Sequence, residues 1–257
     1  MITDVLNLVP FAILRKVNKM VKIQIWFTNW LNTLYNTFIV GERYKTLIDG
    51  FEKTIIITVG ALVLGVFIGT VVAMIKVFAD QNKKSVVLKI LDKLCNLYLT
   101  VIRGTPVVVQ LLISFFIIFV SAKDGTGVAV ITFGINSGAY VAEIIRSGIM
   151  AVDQGQMEAG RSLGFSNFQT MWIIILPQAF KNILPAIGNE MIALLKETSV
   201  AGYVAVTDIT KAGNQIKNTT YDQFNPIMLV ALVYLVMVIG LTKLLAVFER
   251  RLRNSER

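Results

Sequence analysis

The chain of 257 residues has no histidine and a single cysteine, Cys95. The missing histidine removes the commonest metal ligand and the usual general base near neutral pH. A histidine-dependent triad or a zinc hydrolase is therefore excluded within this chain. One thiol also excludes an intrachain disulfide and a cysteine-based zinc site. No GxxxxGK[ST] phosphate loop is present, so the chain does not itself bind ATP in that way. Charge is scarce as well, at 16% of residues, where a soluble domain usually carries about 25%.

Apolar residues take up that space. They make up 55% of the chain, and the mean hydropathy is +0.67. They are gathered into blocks such as 54–75 and 227–247, too long and too free of charge for a soluble core, so the bilayer is the expected solvent. The formal charge is +9. No basic stripe interleaved with aromatics accompanies it, which sets nucleic acid aside. The start of the chain is not expected to be a signal peptide. Asp4, Asn7 and Pro10 interrupt its first apolar stretch, and the basic cluster of Arg15, Lys16, Lys19 and Lys22 follows that stretch instead of preceding it.

The pattern predicts an all-α membrane protein, a polytopic bundle with about five core transmembrane helices. The expected spans run over about 54–76, 106–121, 128–150, 168–195 and 227–247, with a short amphipathic helix at 86–101. Gly60, Gly65 and Gly69 in the first span permit close helix approach. Pro106 costs little near a helix start, where the N–H groups lack helical partners anyway. Residues 1–50 form a separate N-terminal segment. Within it, Asn29, Asn32, Thr33 and Asn36 fall on one helical face, and Phe27, Leu31, Leu34 and Phe38 fall opposite. With Trp26 and Trp30 this suits a helix lying in the membrane interface, and an additional span is the alternative.

Loop charge orients the bundle. Residues 76–105 hold six Lys/Arg against two Asp, and residues 243–257 hold five Lys/Arg against two Glu. The alternate loops 122–127 and 196–226 are neutral. Basic loops stay in the cytoplasm, which places the 151–167 loop and the 252–257 tail there. The basic N-terminus then falls on the outer side, unless residues 23–50 cross the membrane or lie along it.

One polar stretch, EAGRSLGFSNFQTMWIIILP at 158–177, interrupts the apolar spans. Residues 154–163 can form a short helix, with Ala159 and Gly160 leaving a smooth face and Gly164 suited to a left-handed C-cap. Glu158-Ala159-Gly160, then Gly164 and Ile174-Ile175-Leu176-Pro177, resembles the cytoplasmic EAA loop of ABC importer permeases. Gly160 stands where that pattern has its second alanine. Arg103-Gly104-Thr105-Pro106, with residues 107–110 after it, is similar to the RGTP segment of polar amino acid permeases. Ala139-Tyr140 through Gly148 is similar to their AY-x-AE-x-x-RGG segment, and Lys196-Glu197-Thr198-Ser199-Val200 to their KDTSL segment. The resemblance covers about residues 50–251. It implies a MetI-like permease domain at 51–251, in the plasma membrane of a prokaryote.

What the resemblance implies is a non-enzymatic transport subunit forming half of a pathway for a polar amino acid. A second permease copy or paralogue would complete the pathway. A pair of cytoplasmic ATPase subunits would dock on Glu158, Ala159, Gly160, Leu163 and Gly164 and hold the ATP. An extracytoplasmic binding protein would deliver the amino acid. No metal, organic cofactor or catalytic residue is expected on this chain.

Ionisable residues inside spans are costly and so mark function. Glu143 and Glu190 lie deep in predicted helices. Glu143 lies three residues before Arg146, within pairing reach on one helix. Glu143, Asn189, Glu190, Lys196, Glu197, Thr198 and Ser199 are candidates for a pathway that meets both ends of a zwitterion. Arg103, Pro106, Pro177 and Pro185 are structural or hinge candidates; each proline removes a helical N–H donor. Two alternatives remain at this point. One is an ion-coupled secondary transporter using Glu143 and Glu190, and the other is an ABC permease for methionine, a betaine or another small solute.

Overall fold

The computed structural model describes residues 11–81 and 84–254, with side chains over 19–80 and 84–252. Asp4, Asn7 and Pro10 lie outside the described residues, as do the side chains of Arg15 and Lys16 and the end of the tail. The described chain is helical. Helix α1 spans Phe11–Leu34 and ends in a π turn, Tyr35–Ile39. Then follow α2, Tyr44–Gln81; α3, Val86–Gly104; α4, Val107–Ile113; and α5, Gly125–Met150. After them come α6, Gln154–Ser162; α7, Asn167–Thr170; α8, Leu176–Glu197; α9, Ile209–Thr220; and α10, Asn225–Asn254.

Four stretches are long and apolar enough to cross a membrane: Tyr44–Asp80, Gly125–Met150, Asn167–Tyr203 and Asn225–Leu252. α3 and the stretch Val107–Ile118, bent by 105°, are together long and apolar enough for a fifth, broken span or a re-entrant loop. α1 is not among them. The first span is longer than hydropathy suggests. Its 38 residues reach about 57 Å at 1.5 Å per residue, well beyond a hydrocarbon core of about 30 Å. The charge-free part from Thr54 to Ile75 covers the apolar depth, and Lys53 and Lys76 mark its limits.

α2 and α5 form the central pair. An added Cβ at Gly65 would lie 3.0 Å from the Ser137 side chain, and one at Gly69 would lie 2.7 Å from that of Val141. The contact is reciprocal, because Gly134 meets Leu64 and Gly138 meets Ile68. Two buried clusters follow along this seam. Ile57, Ala61, Leu111, Phe133 and Leu194 form one. Ala73, Val141, Ile145, Met171, Ile175 and Ala179 form the other, toward α6. Cys95 and Leu99 then bind α3 to Val72, Ala139 and Ala142.

The predicted span at 106–121 is shorter in the structure. Pro106 is the N-cap of α4, and a π turn at Ser114–Ile118 ends that helix early. Breaking a span frees carbonyls that lipid cannot satisfy. Gln110 closes the break. Its Nε2 donates to the Ile102 carbonyl at 2.8 Å and to the Thr105 carbonyl and hydroxyl at 3.1 and 2.8 Å. Its Oε1 accepts from Asn136 of α5 at 3.0 Å.

At the opposite end from α6, Asp222 forms a knot between the N-terminal segment and the α9–α10 turn. It accepts from Thr37 at 2.9 Å, from the Asn225 side chain at 2.7 Å and from the Phe224 and Asn225 amides. Burial opposes its charge, but these donors outweigh burial and hold the carboxyl below the usual aspartate range.

Gln110→Ala should leave the Ile102 and Thr105 carbonyls without this donor. The expected loss is about 1–3 kcal/mol of stability, with faster amide exchange around 102–113 by mass spectrometry. Unchanged exchange there would refute this role for Gln110.

Candidate functional site: a surface helix and two polar clusters

Helix α6 is built to stand off the bundle. Asp153 caps its start, accepting from the Gly155 amide at 2.6 Å. It ends where Gly164 turns left-handed at φ +89°. The Phe165 amide then reaches the Gly160 carbonyl at 3.1 Å, and the Gly164 amide reaches that of Arg161 at 3.0 Å. This pair of bonds is a Schellman ending, which satisfies carbonyls the helix leaves free. The C-cap expected at Gly164 therefore forms. Ser166 opens α7 with a capping box, exchanging bonds with Gln169 in both directions.

One face of α6 packs inward. Met157 joins the cluster of Met171, Ile175 and Ala179, and Gly160 is buried. The other face is open: Glu158 and Ala159 are exposed, and Leu163 is 77% exposed. Gly160 has a clear local reason. A Cβ there would lie 2.5 Å from Cγ2 of buried Thr170 and 3.1 Å from Cδ1 of Ile174. The departure from alanine thus lets α6 lie flat on α7 and the π turn that follows it.

That π turn, Met171–Ile175, accommodates Pro177. The Leu176 amide bonds to the Met171 carbonyl five residues back, so the ladder is already reset when the proline arrives. Pro177 is exposed near the start of α8. Pro185 lies inside α8, which continues through it, and the Asn189 side chain donates to the Pro185 carbonyl at 3.2 Å.

The intramembrane charges separate into two places. Glu143 pairs with Arg146 at 2.6 Å, as their spacing predicts. Both line a cavity of about 750 Å³ with Lys76, Asn96, Arg103 and Tyr140. Lys76 bonds to Asn96 at 2.6 Å and pairs with Asp92 at 3.2 Å. Arg103 is exposed, with its guanidinium 5.6 Å from the centre of the Tyr140 ring. Glu190 belongs to a different cluster. It accepts from Ser137 of α5 at 2.7 Å, joining α5 to α8.

The remaining candidates divide by exposure. Asn189 and Lys196 are exposed, while Glu197 and Ser199 are half-buried. Thr198 is buried, and its hydroxyl donates to the Leu195 carbonyl within its own turn. Sequence reasoning passed over Ser137 and Asn136, and read Gln110 only as part of the RGTP-like segment and Lys76 only as the end of a span. For Gln110 a signal existed, a lone amide in the run Val107-Val108-Val109-Gln110-Leu111-Leu112. Ser137 carries no such mark, since serine is unremarkable between helices.

Comparison with known proteins places this geometry. Residues 65–254 match the family described as the binding-protein-dependent transport system inner membrane component. The chain belongs to this family. It is 35% identical over 217 residues to the putative glutamine transport system permease protein GlnP of Rickettsia typhi, covering 81% of this chain and 98% of that one. It is 34% identical over 213 residues to the arginine transport system permease protein ArtQ of Bacillus subtilis, covering 82% and 94%. Among solved structures, an amino acid ABC transporter with histidines superposes with a TM-score of 0.75 at 40% identity, covering 83% of this chain and 98% of that one. The inward-facing MetNI methionine ABC transporter superposes with a TM-score of 0.70 at 18% identity, covering 81% and 97%, a likeness of fold alone. The chain is a multi-pass membrane permease, and its fold is the helical bundle expected from its sequence.

Gly160→Ala should cost about 1–3 kcal/mol through overpacking, lowering the Tm of the purified protein. Thr170→Ser removes the colliding methyl and should restore most of that loss in the double variant. Independent, additive effects of the two substitutions would show that this contact does not govern α6.

Proposed function

We propose that the chain is one permease subunit of an ATP-driven importer for a polar amino acid. The observation that carries this reading is α6, a capped helix held to the bundle by Gly160 and Met157 with Glu158, Ala159 and Leu163 left open. Such a face, ending in a fixed Schellman turn, suits a groove on a separate ATPase subunit. Glu158 supplies a charge for docking, and Leu163 supplies an apolar knob. The names of relatives for glutamine and arginine favour a polar amino acid as cargo. Basic loops on the α6 side favour a cytoplasmic position for α6 and the C-terminal tail.

In this reading two permease subunits, identical or paralogous, form the pathway. The largely uncovered α10 is available for lipid or for the second subunit. An extracytoplasmic binding protein delivers substrate, and the ATPase pair binds ATP. Closure of that pair moves α6, which moves α8 through the π turn. Glu190 and Ser137 lie farther along the same helix pair, where a substrate ammonium would meet a carboxylate. The pairing of Glu143 with Arg146, away from Glu190, speaks against a two-carboxylate proton relay in a secondary transporter.

The test is co-purification with the neighbouring ATPase and binding protein, followed by amino-acid-stimulated ATP hydrolysis in proteoliposomes. Leu163→Asp changes an exposed side chain, so the permease should fold while ATPase co-purification and stimulated hydrolysis are lost. Glu190→Gln should impair uptake and leave co-purification intact. Gradient-driven uptake with no ATPase present would overturn the importer reading, and unchanged uptake kinetics in Glu190→Gln would remove that residue from the pathway.

A further inference from the structure

The family match begins only at residue 65. The N-terminal part of the chain is nonetheless built into the fold. Trp30 Nε1 donates to Asn225 at 3.1 Å, and Thr37 donates to Asp222 at 2.9 Å. Arg43 donates to the Asn36 and Val40 carbonyls at 2.8 Å each, closing the end of the helical stretch. Gly41 at φ +72° and Glu42 at φ +52° then turn the chain sharply into α2. The direction in which α1 leaves the bundle is therefore set by hydrogen bonds at one place, the start of α10.

Beyond Trp30, α1 is uncovered on every side from Lys19 to Asn29. Its two faces differ in chemistry. Lys22, Asn29 and Thr33 share one side, Met20, Phe27 and Leu31 share the opposite one, and Lys19, Trp26 and Trp30 lie along the border between them. Met20 is 66% exposed. Trp26 and Trp30 stack with centroids 6.3 Å apart, and Phe27 packs against Trp30 at 6.0 Å. Indole rings of this kind settle at headgroup depth. Cations flanking an apolar face select an anionic lipid surface. The bundle itself supplies that surface, because α10 begins to cross the membrane at the tethering point.

We propose that α1 is a lipid-binding foot lying on the outer leaflet, with Met20, Phe27 and Leu31 in the acyl boundary and Lys19 and Lys22 on anionic phospholipid headgroups. Its Trp30 and Thr37 tethers hold the α9–α10 turn at headgroup level. The outer position follows from the orientation under Proposed function; the shallow position does not depend on it.

The chain has three tryptophans, so in a Trp172→Phe variant the emission reports Trp26 and Trp30 alone. The full-length protein is reconstituted in phosphatidylcholine vesicles with and without phosphatidylglycerol. Lipids brominated near the headgroup should quench most strongly, and aqueous iodide should quench weakly when phosphatidylglycerol is present. Reversing either cation, Lys19→Glu or Lys22→Glu, changes the charge by two and should shift the lipid-bound to free ratio about thirtyfold toward free, and raised ionic strength should act in the same direction on the unreversed protein. Maximal quenching from bromine near the chain ends would mean that α1 crosses the bilayer and would overturn the proposal. Strong iodide quenching with none from lipid would mean a helix standing in water and would also overturn it. Insensitivity to both charge reversal and salt would overturn the choice of anionic headgroups. For sidedness, Asn29→Cys in a Cys95→Ala background should react with an impermeant maleimide on intact cells. Reaction only after permeabilisation would exclude the outer leaflet and, with it, the orientation; shallow quenching would still stand.

Discussion

Everything in this bundle depends on how closely α2 approaches α5. In lipid no hydrophobic force drives one apolar helix onto another, so packing must come from shape and short-range contact. Glycines on both helices supply that shape. Gly65 and Gly69 receive Ser137 and Val141, while Gly134 and Gly138 receive Leu64 and Ile68. The seam holds α5 in one rotation about its axis. That rotation sends Ser137 toward α8 and Glu143 toward the α3 side, so the two polar clusters are a consequence of the same contact.

A second constraint is that backbone groups within the membrane need partners. The chain interrupts its helices in several places, and two of these interruptions are closed locally. Gln110 bridges the bend between α3 and α4. The π turn before Pro177 shifts the ladder by one residue. Among the described side chains, no buried nitrogen or oxygen lacks a hydrogen bond. At these two places irregular backbone lies beside the helices that carry the charged residues.

This division explains what could be read from sequence. Span number, loop charge and the helix before Gly164 rest on local composition and spacing, and they are visible one residue at a time. The Glu143–Arg146 pair is equally local, being one helical turn. The limits of α2 were less visible, because Lys45, Asp49 and Glu52 enter the same helix as the apolar run. The separation of Glu143 from Glu190 depends on helix rotation, which no single segment encodes. By helix propensity alone Gly160 is unfavourable, since glycine is about 1 kcal/mol worse than alanine inside a helix. Its cause is Thr170, ten positions away in sequence and across a turn.

The same contacts suggest how force would travel in the proposed transport cycle. α6 touches the bundle at the π turn and the first residues of α8, and the Gln156 and Gln178 side chains meet at 3.3 Å. Beyond that point α8 is locked to α5 where Ile183 packs against Gly148 and leaves no room for a Cβ. A π turn gives more easily than a regular helix, because one carbonyl in its ladder is already displaced. The Gly148–Ile183 contact is tight and resists sliding. A push on α6 would therefore bend the chain at Met171–Ile175, just ahead of α8, and carry α8 and α5 together. Glu190 and Ser137, bonded across these two helices, would travel together, and their pairing would persist while the surroundings of the carboxylate change.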